Sequence, residues 1–252
     1  MIHHVILNQG NVNGDGIPVL MLHGWGANIT LMQPLAERLA PLGYTIYLFD
    51  MPGFGQTPPP PSAWGVPDYA ACVIDALNTL NVPQVHLIGH SFGGRIGLVL
   101  GAEHPDRIGK MALIDSAGVP DKPNPSTQAR LTVYKSIRDG LYKIGAKGLA
   151  DNLRGWYGKR YGSSDFNAVS GVMRETFVKV VNQDLTPFAA RVKASTILLW
   201  GEDDQETPLW QAKILEKTIP DAGLITFPGA GHYSYLEHPA ETVRILDHFF
   251  KH

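Results

Sequence analysis

The chain has a single cysteine, Cys72, in 252 residues. One thiol builds neither an internal disulfide framework nor a cysteine-ligated metal centre. Its expected place is in the core, on a helix. Charge is also sparse: 17% of residues are charged and the formal net charge is −2. Without a global basic field, nucleic acid and anionic membranes are not expected partners. No apolar run approaches the roughly 18 residues that span a bilayer. Residues 1–10 lack the basic start and apolar stretch of a signal peptide. The expectation is a cytoplasmic protein with no membrane partner. The only low-complexity piece, Pro58–Pro61, reads as a stiff loop.

The chain is instead rich in glycine, with 27 residues, and is 44% hydrophobic, which suits one large domain. Short apolar runs at Val19–Leu22, Thr45–Phe49, Val85–Ile88, Met111–Ile114, Thr196–Trp200 and Leu224–Phe227 read as strands buried on both faces. Helical patterns at about 31–41, 68–80, 92–104, 208–219 and 238–250 alternate with them. This alternation predicts an α/β fold, a mostly parallel sheet flanked by helices. Val5–Leu7 is an expected antiparallel edge strand, ending in the turn-rich stretch 8–16.

Between residues 119 and 190 the alternation stops. The stretch is too long for a structureless loop, so it reads as an inserted helical cap on a core made of 1–118 and 191–252. It holds 11 Lys+Arg against 6 Asp+Glu, in a chain whose total is −2. A solvated helical surface explains that excess; a cap that tolerates acidic substrates is the sharper expectation.

In open parallel sheets, chemistry sits at the carboxyl ends of strands. Here those ends read His23-Gly24-Trp25-Gly26, Asp50 to Gly55, Gly89-His90-Ser91-Phe92-Gly93-Gly94 and Gly201 to Pro208, with Gly229-Ala230-Gly231-His232 after the last strand. Ser91 stands on a tight turn between a strand and a helix. Such a turn strains the serine and brings chain close by, so the positions two before and two after it need glycine. A serine hydroxyl is a weak nucleophile until a base takes its proton, and the base needs an acid behind it. Ser91, an acidic strand end and a histidine in a glycine-rich turn follow in that order. Asp203, Asp204 and Glu206 are all candidates for the acid. Asp115 reads as a structural acceptor. His238 reads as a cap on the last helix, His23 and His90 as loop-orienting residues, and Arg95 as a helix-packing residue.

HGWG at 23–26, DMPGFG at 50–55, GHSFGG at 89–94, LIDSAG at 113–118, LLWGEDDQETP at 198–208 and GAGHYSYLEHP at 229–239 resemble the α/β-hydrolase fold superfamily over essentially the whole chain. The resemblance implies a serine carboxylesterase-like member with a helical cap. It implies Ser91 as nucleophile, His232 as base, Asp204 as acid, and an oxyanion hole at the backbone N–H groups of Trp25 and Phe92. It implies neither cofactor nor metal, and a small-molecule ester as substrate. Serine at position 91 argues against haloalkane dehalogenases and epoxide hydrolases, which carry aspartate there. Tyr233 stands where ring-fission C–C hydrolases usually have tryptophan, and the Gly-Trp-Ser elbow of proline iminopeptidases is absent. A cofactor-free C–C hydrolase, a perhydrolase and a non-catalytic ligand receptor stay open as alternatives, as do monomer and dimer. Trp156, Tyr134, Tyr142, Tyr157 and Phe166 of the cap, with Tyr233, are the expected substrate-binding residues. A finite pocket of this kind suits acyl chains of roughly two to eight carbons.

Overall fold

A computed structural model describes residues 2–9, 16–120, 125–161 and 164–252. Its strands are β1 (His4–Leu7), β2 (Val19–Leu22), β3 (Ile46–Phe49), β4 (Val85–His90), β5 (Ile108–Ile114), β6 (Ser195–Gly201) and β7 (Ala222–Phe227). They form one sheet in the order β1-β3-β2-β4-β5-β6-β7. β1 pairs antiparallel with β3, and every other pairing is parallel. The expected architecture is therefore present, edge strand included. The middle of the turn-rich stretch that follows β1, residues 10–15, lies outside the described residues.

The helices are α1 (Ile29–Leu39), α2 (Val66–Thr79), α3 (Phe92–Glu103), α4 (Pro125–Lys143), α5 (Lys147–Tyr161), α6 (Ser164–Ala168), α7 (Gly171–Asn182), α8 (Thr186–Ala189), α9 (Leu209–Thr218), α10 (Ser234–Glu237) and α11 (Pro239–Lys251). Strand alternation fixes the layers. Along β2, Leu20 and Leu22 join one core cluster with Tyr69 and Val73 of α2 and Phe92, Ile96 and Val99 of α3. Val19 and Met21 face the other way and join Met32 and Leu35 of α1 and Leu246 and Phe250 of α11. Both sets are apolar because both faces of a parallel sheet are covered. Cys72 lies on α2, a helix as expected, but is half-buried at the edge of the first cluster rather than in the core, because it also faces the hollow under Pro58–Pro61.

Between β5 and β6, the described residues hold helices α4 to α8 and no strand; residues 121–124, 162 and 163 of the expected cap lie outside the description. In this stretch α8 packs on α3 and α9, and α7 also packs inward. It buries Met173, Thr176, Phe177 and Val180. The guanidinium of Arg95 on α3 donates to the carbonyls of Val180 and Gln183 at 3.0 and 3.1 Å. A cation at a helix C-terminus satisfies its free carbonyls and opposes the helix dipole, so Arg95 packs a helix, as expected. α4 and α5 pack on one another and leave Val133, Ile137, Ile144, Leu149 and Trp156 exposed. Among the described residues, no helix is long and apolar enough to cross a membrane.

Sheet order explains where a site forms. The chain runs from β2 outward to β3, then returns past β2 to β4. At this reversal the loops after β2 and β4 diverge and leave a crevice at the strand ends.

Candidate active site

Ser91 follows β4 directly and has φ 50° and ψ −108°. A non-glycine residue rarely holds positive φ, and this backbone is strained. Helix α3 starts at the next residue. The turn survives because its flanks are glycine. A Cβ on Gly93 would stand 2.1 Å from the Leu22 carbonyl oxygen, and one on Gly89 2.7 Å from the Gly93 carbonyl oxygen. The glycines let α3 press onto the ends of β2 and β4.

His232 comes from the loop between β7 and α10. Its Nδ1 lies 2.8 Å from Asp204 Oδ2 and its Nε2 3.0 Å from Ser91 Oγ. An ionised carboxylate only accepts, so Nδ1 carries the proton and Nε2 is left to accept from the serine hydroxyl. Asp204 is gripped from all sides. Its Oδ1 accepts from the amides of Glu206 and Thr207 at 2.8 and 2.9 Å, and its Oδ2 accepts the Thr207 hydroxyl at 2.7 Å. Trp200 of β6 pins the same loop by donating its indole N–H to the Thr207 carbonyl at 2.7 Å. Burial opposes ionisation of Asp204, but His232 and Thr207 together hold its carboxyl below the usual range. Burial likewise opposes the charged form of His232, but the hydrogen bond and charge of Asp204 outweigh it and raise its pKa.

The alternative acids fall elsewhere. Asp203 is exposed. Glu206 is largely exposed at the cleft mouth, and its Oε2 lies 3.4 Å from His232 Nε2 rather than behind Nδ1. The structure thus brings Ser91, His232 and Asp204 together in one hydrogen-bonded line.

The supporting residues have separate tasks. Asp115 is buried, and its carboxylate ties Gly201 at the end of β6 to Ser234 at the start of α10. Burial pushes its pKa up to about 6 despite those donors. It is the structural acceptor expected, and it spans the two loops that carry Asp204 and His232. His90 is buried, with its pKa pushed down to about 3 by burial and then by the charge of His232. It is neutral, and its Nε2 lies 2.8 Å from the His232 carbonyl, so the ring positions the His232 backbone. His23 accepts the Met51 amide at Nε2 (3.0 Å) and donates from Nδ1 to the Gly24 carbonyl (2.7 Å), joining the loops after β2 and β3. His238 sits at the N-cap of α11 without capping it through its side chain; its ring stacks on Phe227. His238 is thus the N-cap residue of the last helix, as expected, but it caps through its backbone: its carbonyl accepts the Thr242 amide at 3.0 Å while the ring packs flat.

Above Ser91 lies a cleft of about 620 Å³, lined by Trp25, Phe92, Val119, Leu131, Asp165, Phe177, Val181, Glu206, Gln211 and His232 among others. Trp25 is edge-on to Phe54, Phe92 and Phe177. Among the described residues, neither the Trp25 nor the Phe92 amide has a protein acceptor, which leaves two donors at the strand ends beside Ser91. A second hollow of about 440 Å³ lies under Pro58–Pro61 and is lined by neither Ser91 nor His232. Among the described residues, no cluster of His, Cys, Asp and Glu could hold a metal ion.

The aromatic residues expected to bind substrate are mostly elsewhere. Trp156 is 58% exposed. Tyr134 and Tyr157 stack on each other, with ring centroids 3.9 Å apart. Tyr142 bonds Asp151 on the surface. Phe166 faces Phe177 without lining the cleft, and Tyr233 packs at the rim against His90 and His232. The physical reason is that α4 and α5 cross-pack through their own aromatics, so their rings are spent on each other. The walls come instead from α7, through Phe177 and Val181, and from Leu131 of α4. Sequence reasoning missed Thr207, Phe177 and Asp165. The Thr-Pro pair ending the acid loop and the apolar face of α7 were the signals for the first two; Asp165 had none.

A model of the alpha/beta hydrolase fold matches residues 17–168, and a TAP-like protein model matches residues 178–252. The chain is 28% identical over 249 residues to a pimeloyl-[acyl-carrier protein] methyl ester esterase of Chromobacterium violaceum, covering 92% of this chain and 94% of that one. It is 26% identical over 250 residues to a 2-hydroxy-6-oxo-6-phenylhexa-2,4-dienoate hydrolase of Burkholderia cepacia, covering 90% and 85%. Among solved structures, an esterase from Exiguobacterium antarcticum matches with TM-score 0.74 and 22% identity, over 100% of this chain and 96% of that one. A meta-cleavage product hydrolase from Pseudomonas fluorescens matches with TM-score 0.71 and 20% identity, over 99% and 93%. At these identities the solved structures speak to the fold alone.

Proposed function

Because this chain is a hydrolase that belongs to the alpha/beta hydrolase fold family, we propose that it cleaves carboxylic esters of small to medium acyl chain through an acyl-enzyme on Ser91. The observation that carries this is the continuous line Ser91 Oγ, His232 Nε2 and Nδ1, Asp204 Oδ2, at 3.0 and 2.8 Å. His232 takes the Ser91 proton as Oγ attacks the ester carbonyl. Negative charge then develops on the carbonyl oxygen, where the Trp25 and Phe92 amides can donate; such preorganised donors are the largest electrostatic contribution in acyl transfer. The imidazolium, steadied by Asp204, protonates the leaving alcohol. Water activated by the same imidazole releases the acid. Apart from that water, residues of this chain supply the groups these steps use. A cleft of about 620 Å³ suits acyl chains of roughly two to eight carbons within the usual range of ligand pockets.

A second reading is C–C bond hydrolysis on the same residues, favoured by the relative named for a dienoate substrate. A dienoate carries a carboxylate. The cleft presents Asp165 and Glu206 beside Ser91, and its Arg95 is bonded to the end of α7. This charge pattern favours the ester reading.

A panel of p-nitrophenyl and alkyl esters of increasing acyl length, run with a vinylogous diketone and with acetate plus peroxide, tests the proposal. Short and medium esters are expected to turn over. Ser91→Ala and His232→Ala should each lower turnover by roughly 10⁶. Ester activity that survives Ser91→Ala would sink the proposal, and preferential cleavage of the diketone would replace it with the second reading.

A further inference from the structure

The cleft holds two carboxylates for which ester hydrolysis has no use. Glu206 Oε2 stands 3.4 Å from His232 Nε2, projected there by the same turn that fixes Asp204. Asp165 of α6 also lines the cleft. A Cβ on Gly26 would lie 3.9 Å from Asp165 Oδ1, which puts this carboxyl over the loop that bears the Trp25 amide. One carboxylate therefore flanks the histidine, and the other flanks the loop where carbonyl oxygen would be received. The phenol of Tyr233 reports on both: burial raises its pKa first, then the charges of Glu206 and Asp165.

Against these two carboxylates the cleft sets a single fixed cation among the described residues. Arg95 is the only lysine or arginine lining the cleft, and its guanidinium is bonded to the Val180 and Gln183 carbonyls. The basic residues of the 119–190 stretch that create its positive balance, among them Lys135, Lys143, Lys147, Arg154 and Arg160, are exposed on α4 and α5 and do not line the cleft. They form the solvated surface that was the plain reading of this balance, and the net charge of a segment says nothing about which of its side chains reach the pocket.

We propose that Glu206 and Asp165 are specificity-determining residues that exclude esters bearing a carboxylate and admit neutral or ammonium-bearing ones. The proposal rests on the ester-hydrolase reading of the same cleft. A substrate carboxylate in a space of this size lies within about 5–8 Å of both groups. At an effective dielectric constant of about 20–40, like charges at that range weaken binding by about sixfold to a few hundredfold, and solvent screening favours the lower end. Glu206 is 64% exposed, so its share is weakened by solvent and salt. Asp165 is half-buried and is screened less.

The test compares p-nitrophenyl esters matched in length and differing only at the acyl terminus: methyl, carboxylate and trimethylammonium. The enzyme is used as wild type, Glu206→Gln, Asp165→Asn and the double variant. At low salt, wild-type kcat/KM for the carboxylate ester should fall about tenfold or more below that for the methyl ester, with the gap narrowing in 0.5 M salt. The ratio of carboxylate to methyl ester should rise several-fold in each variant and most in the double one. The trimethylammonium ester should lose relative rate. A wild-type ratio near one, or a ratio unmoved by the double variant, overturns the proposal. If no ester is turned over, the reading of the function has failed separately. The charge preference is then read by NMR titration with hexanoate, hexanol and hexylammonium. Hexanoate binding as tightly as hexylammonium, or none of the three binding, overturns it; preference for hexylammonium that is lost in the double variant supports it.

Discussion

At the scale of single residues, the site depends on proton placement, and pH exposes it. The upward shift of the His232 pKa by Asp204 sets the sign. A general base must be neutral, so kcat/KM should rise with pH through a midpoint above the ordinary histidine value of about 6.5 and then level off. Removing the carboxylate removes the largest influence raising it, ahead of Glu206 and Asp115: Asp204→Asn should move the midpoint down and lower kcat by about 10⁴. Asp203→Asn should change neither, since Asp203 is exposed and makes no bond to His232. A profile with its maximum below about pH 5 contradicts a histidine base, and damage from Asp203→Asn with a mild Asp204→Asn moves the acid by one position. Much of this was legible beforehand. Ser91 stood out because the glycines around it are demanded by close approach, and His232 because it follows a glycine-rich turn in which Gly229 holds φ 74°. The choice among Asp203, Asp204 and Glu206 was not legible from polarity, because all three are acidic and adjacent. It is decided by a turn in which Asp204 accepts the amides two and three residues ahead.

At the scale of elements, α7 supplies more of the cleft wall than α5. Phe177 and Val181 line the cleft, and Arg95 anchors the helix end. Shortening Phe177 to alanine should change the ratio of kcat/KM between short and long esters, because each methylene in an apolar site is worth about 1–3 kcal/mol. Trp156→Ala, on the exposed face of α5, should leave that ratio as it is. Measurement across the ester series checks both; a ratio shifted by Trp156→Ala and not by Phe177→Ala would put the wall back on α5. The helices of the 119–190 stretch were harder to place than the strands. A strand buried on both faces, such as Val19–Leu22, announces itself by composition, and its register follows. An amphipathic helix announces an apolar side but not the neighbour it packs against, so the aromatics of α4 and α5 looked equally fit to line a pocket or to pack on each other. They do the second.

At the scale of the whole molecule, alternation of strand and helix was enough to foresee the sheet, its edge strand and the face on which the site opens. What composition did not show was how charge is distributed. The positive residues of one segment sit on its outside, and acidic residues line the space beneath. The backbone of Ser91, held at φ 50°, has a consequence at this same scale. A residue confined to that region stores about 1–3 kcal/mol, a sizeable share of the roughly 5–15 kcal/mol by which a domain of this kind resists unfolding. Glycine adopts that conformation freely, at a smaller entropic loss of about 0.5–1 kcal/mol. Ser91→Gly should therefore unfold at a higher temperature than the wild type in a thermal melt while being inert toward esters; an unchanged or lower melting point would mean that the turn is relaxed. A durable form of this protein and a reactive form are then different molecules, separated by one hydroxymethyl group, and selection for endurance alone would remove the side chain on which the chemistry depends.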